Sequence, residues 1–133
     1  MTKQERIKKQ VSYWAETAQH DWITAQSLWK ARRYDACLFF CHLVCEKILK
    51  ALVVLKTQQD APRVHDLLQL AELAAVVLDE EKRDVFAQMN HFNIAARYPA
   101  DQIEFYKLAT GRYSRRYYNF TKEFLAWVIE NRL

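Results

Sequence analysis

The sequence predicts an all-α protein, an up-and-down helical bundle of four long helices plus a short extra helix. Three observations predict it. One glycine and two prolines in 133 residues leave little chemistry for tight turns, so long elements with few connections are expected, not a sandwich or barrel. Apolar residues recur at steps of three and four through most of the chain. The aromatic fraction of 14% falls mostly within those helical patterns, where it is first a packing resource. A chain of this length fits one domain, 1–133, and can bury a substantial core.

The first helix opens on Thr2-x-x-Glu5, a capping-box signature. Ile7, Val11, Trp14, Ala18, Trp22, Ala25 and Trp29 then mark an amphipathic helix of roughly seven turns. Arg32-Arg33 is a short break. The second helix, Tyr34 to Thr57, is apolar around most of its circumference, which marks it as the central and most enclosed one. Gln58-Gln59-Asp60-Ala61-Pro62 reads as a loop. A third helix opens at Val64-His65-Asp66, with Leu67, Leu70, Ala74 and Val77 on one face and His65-Asp66 as its capping element. Asp79 caps a fourth, with Glu80 and Glu81 in the first turn as the helix dipole favours. Val85, Phe86, Met89, Phe92 and Ala96 form its apolar side, and Pro99 ends it. From Pro99 to Thr110 the pattern fits either a short helix or an extended strap. Thr110 starts the last helix, whose stripe is Tyr113, Tyr117, Phe120, Phe124, Trp127 and Val128.

The formal net charge of +4 permits a nucleic-acid or nucleotide partner without demanding one. The polar N-terminus has no apolar signal core, which argues against secretion. No apolar run reaches the ~18 residues of a membrane span, because His42, Glu46, Lys47 and Lys50 interrupt the longest. Three cysteines, an odd number in one helical segment, give no disulfide framework. A cytoplasmic protein without membrane attachment is expected.

Few residue patterns carry chemistry. Cys37, Cys41 and Cys45 line one helical face, with the outer thiols about 12 Å apart by helix rise, too far to share one metal ion. No metal and no cofactor is expected. Glycine-rich phosphate loops are excluded by the glycine count. Arg97 falls at a helix exit before Pro99, where a guanidinium is placed to grip a carboxylate or phosphate. Asn93 lies one turn earlier on the same face, and His91 could reach the same end for acid–base work on a phosphodiester. Arg112 and Arg116 share a face beside Tyr113 and Tyr117, the cationic and stacking mix that RNA binding uses, although an amphipathic helix with tyrosines inward and arginines solvated is the favoured reading. Glu46, Lys47 and Lys50 sit on the enclosed helix, where they line a groove or form ion pairs; i, i+4 spacing favours pairing for Glu46 and Lys50.

Asp21 and Ala25, Tyr34-Asp35-Ala36, Glu46-Lys47-x-Leu49-Lys50-Ala51, His65-Asp66-Leu67 and Asn93-Ile94-Ala95-Ala96-Arg97-Tyr98-Pro99 occur in this order over nearly the whole chain. In combination they resemble the prokaryotic HEPN-domain proteins. The resemblance implies a helical bundle, usually a homodimer, often encoded beside a minimal nucleotidyltransferase in a toxin–antitoxin type two-component system. Relatives bind nucleotides or cut RNA without a metal, the cutters through an arginine followed by a histidine four to six residues later. Arg97 matches that arginine, but no histidine follows it, since His91 is the last in the chain.

The expected function is therefore a non-catalytic HEPN-like module. It would bind a nucleotidyltransferase partner and a nucleotide or RNA phosphate, through Arg97, Asn93, Tyr98, Lys47 and Lys50. The alternative is a metal-independent ribonuclease toxin using Arg97 with His91.

Overall fold

The computed structural model describes residues 1–133 and consists of six helices: α1 (Lys3–Lys30), α2 (Tyr34–Thr57), α3 (Leu67–Leu73), α4 (Glu80–Ala95), α5 (Pro99–Leu108) and α6 (Gly111–Asn131). Four are long and two short, so the bundle expected from the sequence is present with one more short helix. Side chains fix the starts. Thr2 Oγ1 accepts from Glu5 N, Asp79 Oδ1 from Lys82 N, and Thr110 Oγ1 from Tyr113 N. Each satisfies an amide that has no partner within its helix.

Two expectations near α3 are corrected. The helix begins at Leu67, not Val64, because Asp66 is the cap and takes the amides of Leu68 and Gln69. It also ends early. Ala75 adopts φ 56°, its amide bonding Glu72 O while Val76 N bonds Ala71 O, the paired closure of a Schellman motif. The left-handed step rotates Val76 into the core and leaves Val77 93% exposed, where helical spacing had placed Val77 inside.

Long helices alternate in direction. Residues early in α6 meet the start of α2, where Gly111 packs on Tyr34, and Thr121 meets Cys45 further along, so these two run parallel. Aromatic contacts Phe86–Phe124 and Phe92–Tyr113 set α4 antiparallel to α6. Ala25 meets Cys37 and Asp21 meets Lys47, which sets α1 antiparallel to α2 and therefore to α6, where Trp29 stacks on Tyr118 at 4.4 Å. The order is up, down, up, down, with α3 and α5 inside the two connections of the second half.

Helix α2 is the axis. It touches all five other helices and buries residues on every side, including Leu38, Val44, Ile48, Leu49 and Leu52. Its thiols are interior: Cys37 Sγ donates to Ala25 O at 3.3 Å, and burial pushes Cys45 up to about 12. They pack as small apolar groups.

The left-handed turn at Ala75 supplies a test. A Cβ in this conformation costs about 1 kcal/mol, partly offset by the greater freedom of glycine in the unfolded chain. Ala75→Gly is expected to raise unfolding free energy by about 0.5 kcal/mol in urea titration, whereas Ala75→Val lowers it.

Candidate functional site

Alternation brings three chain breaks to one end of the bundle: the α1–α2 turn, the exit of α4 with α5, and the start of α6. Arg97 lies here, two residues past the end of α4, its amide bonded to Ile94 O. Pro99 stops α4 and begins α5, since a residue without an amide proton suits the first helical position. The sequence left 99–110 open between helix and strap; it is helix through Leu108. Gln102 Nε2 donates to Ala96 O at 2.9 Å and so satisfies a terminal carbonyl of α4.

The Arg97 guanidinium is held on two sides. Its Nε donates to Asn93 Oδ1 at 3.2 Å, and its Cζ lies 5.9 Å from the centre of the Phe39 ring. Asn93 is 9% exposed, so its amide is fixed by packing and presents a set acceptor. Asp35, Ala36, Phe39, Phe40, Ala96, Gln102 and Phe105 complete a cleft of about 310 Å³ around Arg97. No carboxylate forms an ion pair with Arg97, although Asp35 lines the same cleft. The nitrogens beyond Nε thus have no protein acceptor and can meet an anion in bidentate fashion.

The other expected residues divide. Tyr98 follows directly and is 57% exposed at the cleft's end of the bundle. His91 is exposed and lines a different cleft with Gln88, Phe92, Asp101, Glu104 and Phe105. Arg97 and His91 share no cleft within one chain. Arg112 and Arg116 are exposed on α6, while Tyr117 is buried.

Lys47 and Lys50 are engaged elsewhere. Lys47 Nζ lies 2.6 Å from Asp21 Oδ2 across the α1–α2 seam. Lys50 is 5% exposed, donates to Glu46 Oε2 at 3.1 Å and sits 5.2 Å from the centre of the Trp14 ring. By helix rise, Lys47 is about 12 Å beyond Phe39 along α2, away from the Arg97 cleft. The pairing that i, i+4 spacing favoured for Glu46 and Lys50 is what the structure contains.

Glu46 is the centre of a buried polar cluster. His65 Nδ1 lies 3.1 Å from its Oε2 and His42 Nδ1 lies 3.7 Å from its Oε1. His42 Nε2 faces His65 O at 3.1 Å, so the neutral ring carries its proton there and donates to that carbonyl. His65 therefore tethers the loop before α3 to α2, whereas the capping expected of this segment falls to Asp66 alone. Asn90 joins α4 to the same loop, accepting from Leu67 N and donating to Asp66 Oδ1. Residues missed by sequence reading of the Arg97 cleft are Phe39, Gln102 and Phe105, which carried only an apolar or neutral signal until packing placed them.

These features define a small helical module with one anchored cationic cleft at an end of its bundle. The chain belongs to the HEPN domain family, whose model matches residues 11–132, a family of nucleotide-binding and RNase-like modules. No curated protein and no solved structure matches the chain. No helix is long and apolar enough to cross a membrane.

Two measurements probe the polar cluster. Glu46→Ala strands the Lys50 ammonium in the interior and is expected to cost about 3–5 kcal/mol by urea unfolding; joint replacement with Lys50→Met recovers most of it. Burial holds His42 below its ordinary value of 6.5, against the opposing pull of Glu46. The unfolded chain then binds the proton that the folded chain refuses, so stability falls as pH drops below 6.5. His42→Gln is expected to lose less melting temperature than the parent between neutral and mildly acidic pH.

Proposed function

We propose that residues 1–133 act as one non-catalytic HEPN module, dimeric, which docks a minimal nucleotidyltransferase and holds a nucleotide or RNA phosphate at Arg97. One observation supports this most directly: the guanidinium is oriented by Asn93 and Phe39, and no ion pair occupies it. Preorganisation of that kind lowers the entropic cost of gripping an anion. Asn93 is the orienting residue, Arg97 the anion contact, and Tyr98 a neighbour able to cover a bound base or sugar. The family resemblance supports a role for the module in a two-component, toxin–antitoxin type system, and the polar N-terminus without an apolar signal core supports a cytoplasmic setting.

The ribonuclease alternative needs a proton-transfer group beside Arg97. His91 faces a separate cleft, and no histidine follows Arg97 in the chain, so the binding role is preferred.

Calorimetric titration with ATP and with inorganic phosphate tests the reading. Arg97→Ala is expected to weaken binding by about ten- to a hundredfold, the value of one charge-assisted contact, with little change in melting temperature. Equal affinity in parent and variant overturns the anion site. Sedimentation is expected to give twice the 15.9 kDa of one chain. RNA cleavage in the presence of chelator, lost in both Arg97→Ala and His91→Ala, establishes the nuclease instead.

A further inference from the structure

We infer that the face of the bundle formed by the α1–α2 turn and the first turns of α6 is a docking surface for a nucleic-acid backbone, separate from the Arg97 cleft. Tertiary structure builds this face from two segments far apart in sequence, Trp29-Lys30-Ala31-Arg32-Arg33-Tyr34 and Ala109-Thr110-Gly111-Arg112-Tyr113-Ser114-Arg115-Arg116-Tyr117-Tyr118. Their juxtaposition is set by contacts. The Arg115 guanidinium lies 5.7 Å from the centre of the Trp29 ring, and Trp29 packs on both Tyr118 and Tyr34. Gly111 permits the approach, since a Cβ there would stand 2.9 Å from the Tyr34 hydroxyl.

Lys30, Arg32, Arg33, Arg112, Arg115 and Arg116 are all exposed around this aromatic floor. None forms an ion pair; the protein's ion pairs use only Asp21, Glu46 and Asp79 as acids. Neither segment contains an acidic residue. The acids of this end lie on the α4–α5 side, Asp35 in the Arg97 cleft and Asp101 and Glu104 beside His91. Six like charges held together on a rigid face repel one another, and that repulsion is relieved when a polyanion binds.

A nucleic-acid strand fits better than an acidic protein. The arginines stand one turn apart at Arg112 and Arg116, about 6 Å, close to the spacing of successive phosphates along a strand. The floor is rigid, because Trp29, Tyr34 and Tyr118 are half-buried and packed on one another. Arg115 already lies against one of those rings, which reduces the freedom its guanidinium loses on binding a strand. The surface therefore recognises backbone charge and not base identity.

Fluorescence anisotropy with labelled oligouridylate, oligothymidylate and a DNA duplex of equal length tests this on the intact protein. Binding of either single strand more tightly than the duplex supports the surface, and tighter binding of the duplex overturns it. With six phosphate contacts on a single strand, the plot of log affinity against log salt is expected to have a slope of about −4. Arg33→Gln, Arg112→Gln and Arg116→Gln together should halve that slope and weaken binding at least about tenfold at low salt.

The control carries Lys3→Gln, Lys8→Gln and Lys9→Gln, an equal charge change about 30–40 Å away along α1, and should bind as the parent does. If the basic-face triple variant melts, the Arg112→Gln/Arg116→Gln pair gives the same reading. The proposal is overturned by no binding at low salt, by equal losses in both triple variants, or by polyglutamate binding as tightly as oligouridylate. Loss of strand binding in Arg97→Ala alone, with the triple variant unaffected, overturns it too and assigns the strand to the cleft. Nucleotide binding lost in Arg97→Ala while strand binding persists keeps the two sites separate.

Discussion

Helix α2 has no side suited to water, and the other five helices are arranged to cover it. Leu38, Val44, Ile48, Leu49, Leu52 and Val54 point in several directions around its axis and are all essentially inaccessible. Each such side chain contributes about 1.5–3 kcal/mol when removed from solvent, so an uncovered flank of α2 would forfeit much of the folding free energy. Helix α1 covers one flank along its full length, α6 another, and α4 a third. The alternation of direction follows, because short connections return each helix beside the one it left.

Enclosure dictates what the polar residues on α2 can do. An ion taken out of water needs a partner, and removal of that partner costs several kcal/mol. Glu46 meets this need with Lys50 and His65; Lys47 meets it with Asp21. The Glu-Lys-x-x-Lys segment is thus a device for closing the bundle. Its charges fasten α1 and the loop before α3 to the central helix. A phosphate arriving at Lys50 would have to displace Glu46 from a site that is 5% exposed. Arg97 is under no such demand, since it projects from the end of the bundle and its Asn93 bond uses only Nε.

The four long helices were legible because their apolar period is long and their caps are chemically distinct. Thr2, Asp79 and Thr110 each hold the amide that their side chains suit. The end of α3 was not legible. Periodicity from Leu67 through Val77 continues without a break in type, and the stop is a left-handed Ala75 where glycine is the usual signal. Residues 99–108 were ambiguous for a related reason. Ile103, Tyr106 and Leu108 are exposed and only Phe105 is buried, so this helix has almost no apolar face to announce it. Within the candidate site, Arg97 and Asn93 were readable from i, i+4 spacing. Phe39 and Gln102 were not, because their relation to Arg97 exists only after α2 and α5 converge on it.

The same convergence explains why two groups of cations in this protein are placed so differently. Those on the interior helix are neutralised by short-range partners fixed in sequence or across one seam, and they contribute to the fold. Those at the α1–α2 turn, the exit of α4 and the start of α6 lie where chain reversals leave no facing helix to supply a carboxylate. A helical bundle with few connections has only two such ends. Here one end gathers three of the breaks, and the positive charge left there has no partner within the chain. Relief of that repulsion by a bound phosphate or strand lowers its free energy without requiring the core to move. A rigid, closed interior with an unneutralised end suits the binding role proposed for the Arg97 cleft.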